Sequence, residues 1–345
     1  MSHPTPDNDG KLQILSMYYN SIHLQSLSLP EDLRTREFAF QLFPDARFVR
    51  HLSFTEKEQV LEWIRGHLPH SAYYSAGLYQ IPSAPKMSEK GQLGAELLFD
   101  IDVDHMKECI GKEFRLCNTP DSPILVPEEC LKIGLEKAVI LKERLEKEFG
   151  IKWVFIHFSG NRGFHIVARH EDMLKLTSDE RKEILDYVMG VGLDLDFLFP
   201  RKRGYKRIPP SVDEPGWRGF LARLFHSTNT DGSPSFFEKL PQLIDAASVP
   251  ADPQVTVDTS RLIRIPGSIN GKSGLLVAAI EKPEKFDVKD YVPIKKPMLV
   301  KILCNINEVF DPGRMYKRNI VYRVEPFVGV SLVFRGAAKL LEIGV

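Results

Sequence analysis

The segment Glu96-Leu97-Leu98-Phe99-Asp100-Ile101-Asp102-Val103-Asp104 constrains this chain more than any other stretch. Read as a β-strand, it alternates cleanly. Leu97, Phe99, Ile101 and Val103 point to one face; Leu98, Asp100, Asp102 and Asp104 point to the other. Asp is a poor strand former. Carboxylates aligned on one face of an apolar strand repel one another unless a cation sits between them. Same-face neighbours lie about 7 Å apart at the backbone, so Asp100 and Asp102 can converge on one or two metal ions. A hard divalent ion, Mg²⁺ or Mn²⁺, suits the site because it takes oxygen ligands and keeps positions open for phosphate oxygens. The strand therefore reads as a metal-dependent phosphoryl or nucleotidyl transfer site. The plainer alternative is a surface strand with solvated acids, and flanks as apolar as Leu97, Leu98, Phe99 and Ile101 weigh against it.

The totals exclude several classes. Forty-six Lys and Arg balance 46 Asp and Glu over 345 residues, so whole-surface, histone-like nucleic-acid binding is not supported. Any such binding is local or helped by a partner. No apolar run approaches the roughly 20 residues of a membrane span. Met1 to Gly10 is polar and Pro-containing, without the apolar core of a signal peptide, and reads as a flexible tail. Cys109, Cys117, Cys130 and Cys304 are few and unevenly spaced, which favours buried thiols in a reducing, intracellular (cytoplasmic) setting over a disulfide framework.

Strands and helices mingle without strict alternation, which predicts an α/β (α+β) fold with a mixed sheet. Ser28-Leu-Pro30 is a helix-start signal. Strands are expected over Phe48–Phe54, Ala72–Gln80, Ile151–Phe158, Phe164–Arg169, Val255–Asp258, Leu262–Pro266, Gly274–Ile280, Asn319–Arg323 and Val330–Phe334. Helices are expected from Thr55 to about Gly66, from Pro127 to Phe149, and from the capping box at Thr177 to near Gly190. Residues 191–254 break this pattern with many Pro and Gly, and read as a variable, partly helical insertion between core segments 11–190 and 255–345.

Two further segments carry chemistry. In Phe158-Ser-Gly-Asn-Arg-Gly-Phe-His165, two glycines allow a tight turn whose amides form an anion nest. Ser159 adds a hydroxyl, Arg162 a bidentate phosphate grip, and His165 a further donor. Alone, this could be a plain hairpin with an exposed Arg and a core His. In Val255-Thr-Val-Asp258-Thr-Ser-Arg-Leu-Ile-Arg264, Asp258 can supply a third carboxylate and Arg264 another phosphate contact. Alone, an exposed strand end is as good a reading.

Taken in order, Leu98-Phe-Asp-Ile-Asp102, Ser159-Gly-Asn-Arg-Gly-Phe-His165 and Asp258-Thr-Ser-Arg-Leu-Ile-Arg-Ile-Pro266 closely resemble the small, catalytic subunit of archaeal and eukaryotic DNA primases. The likeness extends over roughly residues 12 to 280. It implies a nucleotidyltransferase that makes short primers on a single-stranded DNA template from nucleoside triphosphates. Asp100, Asp102 and Asp258 would be the metal-binding catalytic acids, and Ser159, Arg162, His165, Arg50 and Arg264 would hold the nucleotide. A large-subunit partner in a heterodimer is also implied. The alternatives are a related polymerase acting in primer extension or repair, and a non-catalytic nucleic-acid-binding subunit. Asn270 stands where the family commonly has a His, with Lys272 close by. The family's zinc knuckle leaves only His105, Cys109, Cys117 and Cys130 here, without a Cys-x-x-Cys. Arg201-Lys-Arg-Gly-Tyr-Lys-Arg207 combines basic residues with an aromatic and is a candidate template contact, although a solvated loop is the simpler reading.

Overall fold

Asp7 caps the first helix, α1 (Asn8–Tyr19), and its carboxylate accepts from the N–H of Gly10 at 3.2 Å and of Leu340 at 2.6 Å. Helix therefore begins inside the stretch read as a tail, because Asp7 is anchored to the far end of the chain. This computed structural model describes residues 7–117, 124–200, 207–228, 235–307, 309–310 and 313–344. No described helix is long and apolar enough to cross a membrane.

The helix-start signal at Ser28 is not followed by an α-helix. One 3₁₀ turn, Leu33–Thr35, leads into β1 (Phe38–Gln41), whose Phe38, Ala39 and Phe40 are fully buried. Pairing on both sides overrides local preference here. β1 lies between β2 (Phe48–Leu52) and β3 (Ser71–Ser75), with α2 (Lys57–His67) joining those two strands in sequence. The expected strand over Ala72–Gln80 breaks at Ala76, whose N–H donates to Arg261 O, and resumes as β4 (Gly77–Tyr79), paired with β5 (Gln92–Ala95).

The aspartate strand is β6 (Leu97–Asp102). A short hairpin, β7 (Phe114–Arg115) with β8 (Ile124–Leu125), precedes α3 (Glu128–Glu148), β9 (Trp153–Phe158) and β10 (Gly163–Arg169). The side chains of Leu97, Phe99, Ile101 and Val103 join a core with Cys130, Leu135, Leu141 and Leu145 of α3. Leu98, on the other face, joins a second core with Phe38, Phe40 and Val167. The strand is thus clamped between two cores, with Asp100 and Asp102 half-buried on the face that Leu98 shares.

α4 (Ser178–Met189) follows the sequence signals closely. Thr177 and Glu180 form a reciprocal capping box, and Gly190 closes the helix at φ +75°. Thr177→Ala is expected to cost about 1 kcal/mol, measurable as a shifted urea midpoint at constant slope. Next come α5 (Leu195–Leu198), α6 (Gly216–Thr228) and α7 (Phe236–Ala247), which share an apolar cluster around Phe199, Trp217, Phe220 and Leu240. The expected strand at Val255–Asp258 is instead a short helix, α8 (Pro253–Val257). Asp252 caps it, accepting from Gln254 N at 2.9 Å, and Pro253 pre-sets its first turn. β11 (Leu262–Arg264) adds to the β3 edge, and β12 (Ala278–Ala279) to β9. β13 (Met298–Ile302) is flanked by β14 (Val321–Val324) and the C-terminal β15 (Ala338–Ile343). Between the last two, the strand expected over Val330–Phe334 is part of α9 (Pro326–Phe334). This helix is buried on all sides from Val328 onward, so no amphipathic period marks it. The ten strand pairings among the described residues are antiparallel, so the α/β (α+β) class is as expected while the strand directions are not mixed.

The cysteines depart from the expectation of free thiols. Cys109 is bonded to Cys130 and Cys117 to Cys304, and none is free. The first pair lies in the core beneath β6 and the second in the other core. Sequence spacing could not show this, because each bond joins different elements. The residues no longer fit a zinc knuckle, since no thiolate remains to hold the ion.

Candidate active site

β6 and β10 run antiparallel with His165 opposite Asp100 and Gly163 opposite Asp102. Opposed residues share a face, so Asp100, Asp102 and His165 look the same way. His165 Nε2 lies 3.7 Å from Asp100 Oδ1. Gly163 makes this approach feasible: a Cβ there would sit 2.1 Å from Ile101 O.

The turn between β9 and β10 is fixed from behind. Asn270, almost fully buried, donates through Nδ2 to Ser159 O at 2.8 Å. The Ser273 hydroxyl donates to Gly160 O, and Val103 N donates to Arg162 O at 2.9 Å. Gly160 takes φ +77°, with the site of a Cβ 2.9 Å from that of Asn270. The carbonyls of Ser159, Gly160 and Arg162 are thus occupied. The N–H groups of Gly160, Asn161 and Arg162 pair with no acceptor among the described residues, the arrangement an anion nest requires. Asn270, which stands where the family commonly has a His, is here the strut of the turn.

The electrostatics are those of an acid cluster awaiting a cation. Burial, then the neighbouring Asp252, pushes Asp100 up to about 6; burial, then Asp100 and Asp104, pushes Asp102 up to about 6. Burial and the Arg264 charge push His165 down to about 4, so it is neutral at physiological pH. Arg162 forms an ion pair with Asp104. Arg264 lies 4.8 Å above the Tyr73 ring, and its buried Nη1 has no hydrogen-bond partner.

Asp258 closes α8, its Oδ1 accepting from Ser260 N at 2.9 Å and its Oδ2 lying 3.2 Å from Arg261 Nε. Arg261 in turn favours the charged form of Asp100, while among the described residues no hydrogen bond or ion pair joins Asp258 itself to Asp100 or Asp102. Arg50 is held on Glu37 at 2.8 and 3.3 Å. Of the basic run, Arg201–Lys206 lie outside the described residues, and Arg207 pairs with Asp196.

The donors present fit a divalent ion. Oδ1 of Asp100 and Oδ1 of Asp104 are buried without a hydrogen-bond partner. Ligand atoms of Asp102, Asp104 and His105 lie within 4.8 Å of one another. Asp104 had no assigned role in the sequence reading, although the strand alternation already put it on the acid face. Asp252 was missed outright, since nothing local ties it to Asp100; its N–H donates to Asp100 O at 2.9 Å.

His70 is pressed against Gly271. Burial, then Lys11 and Arg264, pushes it down to about 4. The unfolded chain would protonate near 6.5, so this group's contribution to stability is lost as pH falls from about 6.5 to 4. The melting advantage of wild type over His70→Gln should therefore shrink across that window in thermal scans.

Residues 99–281 match the family model for the DNA primase small subunit. The DNA primase small subunit PriS of Aeropyrum pernix is 39% identical over 83% of this chain and 82% of its own. That of Saccharolobus islandicus is 34% identical over 96% and 97%, and that of Staphylothermus marinus 33% over 96% and 94%. With the acid strand, the braced turn and this breadth of similarity together, the chain belongs to the DNA primase small subunit family.

Proposed function

We propose that this protein is the catalytic subunit of a DNA-dependent primase, which joins nucleotides into short primers on single-stranded DNA for replication, in partnership with a large subunit. The observation that carries the reading is the shared face of Asp100, Asp102 and His165 beside a turn whose amides point free.

Asp100, Asp102 and Asp258 would hold Mg²⁺ or Mn²⁺. A bound divalent ion lowers the pKa of the attacking 3′-hydroxyl and balances charge on the leaving pyrophosphate. The chain's own residues do the positioning. The turn amides and Arg162 take the polyphosphate; Ser159 adds its hydroxyl, and Arg50 and Arg264 add positive charge toward it. Arg162 exchanges Asp104 for phosphate as the nucleotide enters. His165, neutral, contributes a hydrogen bond without adding a second charge beside Arg264. The 3′-oxygen, its proton lost to solvent, then bonds to the α-phosphorus as the bond to the bridging oxygen breaks and pyrophosphate leaves.

The test is incorporation of labelled nucleotides with Mg²⁺ or Mn²⁺, on unprimed and on primed single-stranded DNA. Products on the unprimed template support the primase reading. Extension of a supplied primer alone would mean that initiation needs the partner or is absent. No incorporation by a folded, metal-loaded protein would overturn the catalytic reading.

A further inference from the structure

The end of α9 reaches the phosphate turn. Arg335 follows that helix directly and is only 7% exposed. Its Nη2 donates to Asn161 Oδ1 at 3.0 Å and its Nη1 to Ile124 O at 3.2 Å, while the buried Nε has no partner. Among the described residues no carboxylate forms an ion pair with it. A buried guanidinium without a counter-ion is expensive. The C-terminal end of α9 offsets a part of that. Arg162 works the other way: with burial as the larger cause, it pushes Arg335 down to about 10, still charged at neutral pH. Two guanidinium groups thus flank Asn161, one buried and unpaired. The same helix braces the turn's support, since Val330 and Phe334 pack so closely on Gly274, at φ +80°, that a Cβ there would meet Phe334 at 2.5 Å. Gly274 N donates to Asn270 O, and Asn270 holds Ser159.

We infer that Arg335 is a positioning residue for polyphosphate binding: it fixes Asn161, and so the free amides of Gly160–Arg162, from behind, and supplies a buried positive charge that a bound triphosphate neutralises. This rests on the proposed function, in which the turn receives the nucleotide's phosphates.

The experiment compares the full chain with Arg335→Met, Arg335→Lys and Asn161→Ala variants. Binding of inorganic tripolyphosphate is measured by calorimetry, and KM and kcat for nucleotide by extension of a primed template. Arg335→Met should weaken tripolyphosphate about tenfold and raise KM by a similar factor with little change in kcat, as expected for loss of a charge-assisted contact. Arg335→Lys keeps the charge without the planar fork and should recover part of the affinity; it also serves if the Met variant does not fold. Asn161→Ala added to Arg335→Met should cause little further loss. Unchanged tripolyphosphate affinity in a folded Met or Lys variant, or a full additive loss in the double variant, would overturn the inference. Wild type that binds tripolyphosphate through Arg335 but adds no nucleotide would uphold the anchor and sink the polymerase reading instead.

Discussion

Asp100→Asn and Asp102→Asn are each expected to abolish nucleotide incorporation, by on the order of a thousandfold or more, without unfolding the protein. The two effects have opposite signs for one reason. Both carboxyls are held up at about 6, chiefly by burial. At pH 7.5 each is charged, and the folded, metal-free protein bears the cost of that charge. The unfolded chain, titrating near 4, does not. Metal-free stability contributed by these groups therefore falls as pH rises from about 4 through 6. Replacing either acid with its neutral isostere removes the repulsion while keeping the shape. Melting in metal-free buffer should be at or above wild type, while Mn²⁺ should raise the melting temperature of wild type alone. A variant that loses activity and unfolds as well would point to a structural role for these carboxylates.

The second large effect lies behind the acid strand. Arg36, fully buried, meets Asp32 at 2.9 Å and Glu96 at 2.9 Å, and donates to Ser75 O at 2.7 Å and Ala76 O at 3.0 Å. Glu96 stands immediately before β6, and its backbone carbonyl accepts from Arg181 of α4 at 3.0 Å. Arg169, from the end of β10, closes the ring on Asp32 at 2.9 Å. One cation thus ties the β1–β3 sheet to the start of the metal strand. Arg36→Met fits the volume but leaves Asp32 and the nearly buried Glu96 with Arg169 as their remaining cation. The expected cost is roughly 3–5 kcal/mol, read as a lower urea midpoint. Adding Glu96→Gln to Arg36→Met should restore part of the loss, since the uncompensated charge carries much of it. A loss under about 1 kcal/mol would mean that Arg169 and water suffice to compensate the acids.

Local chemistry made some of this legible and topology hid the rest. Thr177 with Glu180, and Gly190, mark α4 from neighbours within a few residues, and the period-2 pattern of Leu97–Val103 marks β6. These signals are short-range and survive packing. Val330–Phe334 has β-branched residues enough for a strand, yet Pro326 and burial on every side make it helix. Asp252 and Pro253 turn Val255–Val257 into helix because a cap three residues upstream outweighs valine's preference. The acid strand and the phosphate turn were found because each is contiguous. Asp252 beside Asp100, Arg335 behind Asn161, and the pairing of Cys117 with Cys304 join residues distant in sequence, and no periodicity carries such information.

The metal site has two competing readings that one measurement separates. The family resemblance groups Asp100, Asp102 and Asp258, whereas the ligand atoms nearest one another are those of Asp102, Asp104 and His105. Crystals soaked in Mn²⁺ with a non-hydrolysable nucleoside triphosphate, and measured for anomalous scattering of manganese, would locate the ions directly. The expected result is manganese between Asp100, Asp102 and Asp258, with Arg162 released from Asp104 onto phosphate. Manganese held by Asp104 and His105 alone, with Arg162 absent from the phosphates, would contradict it.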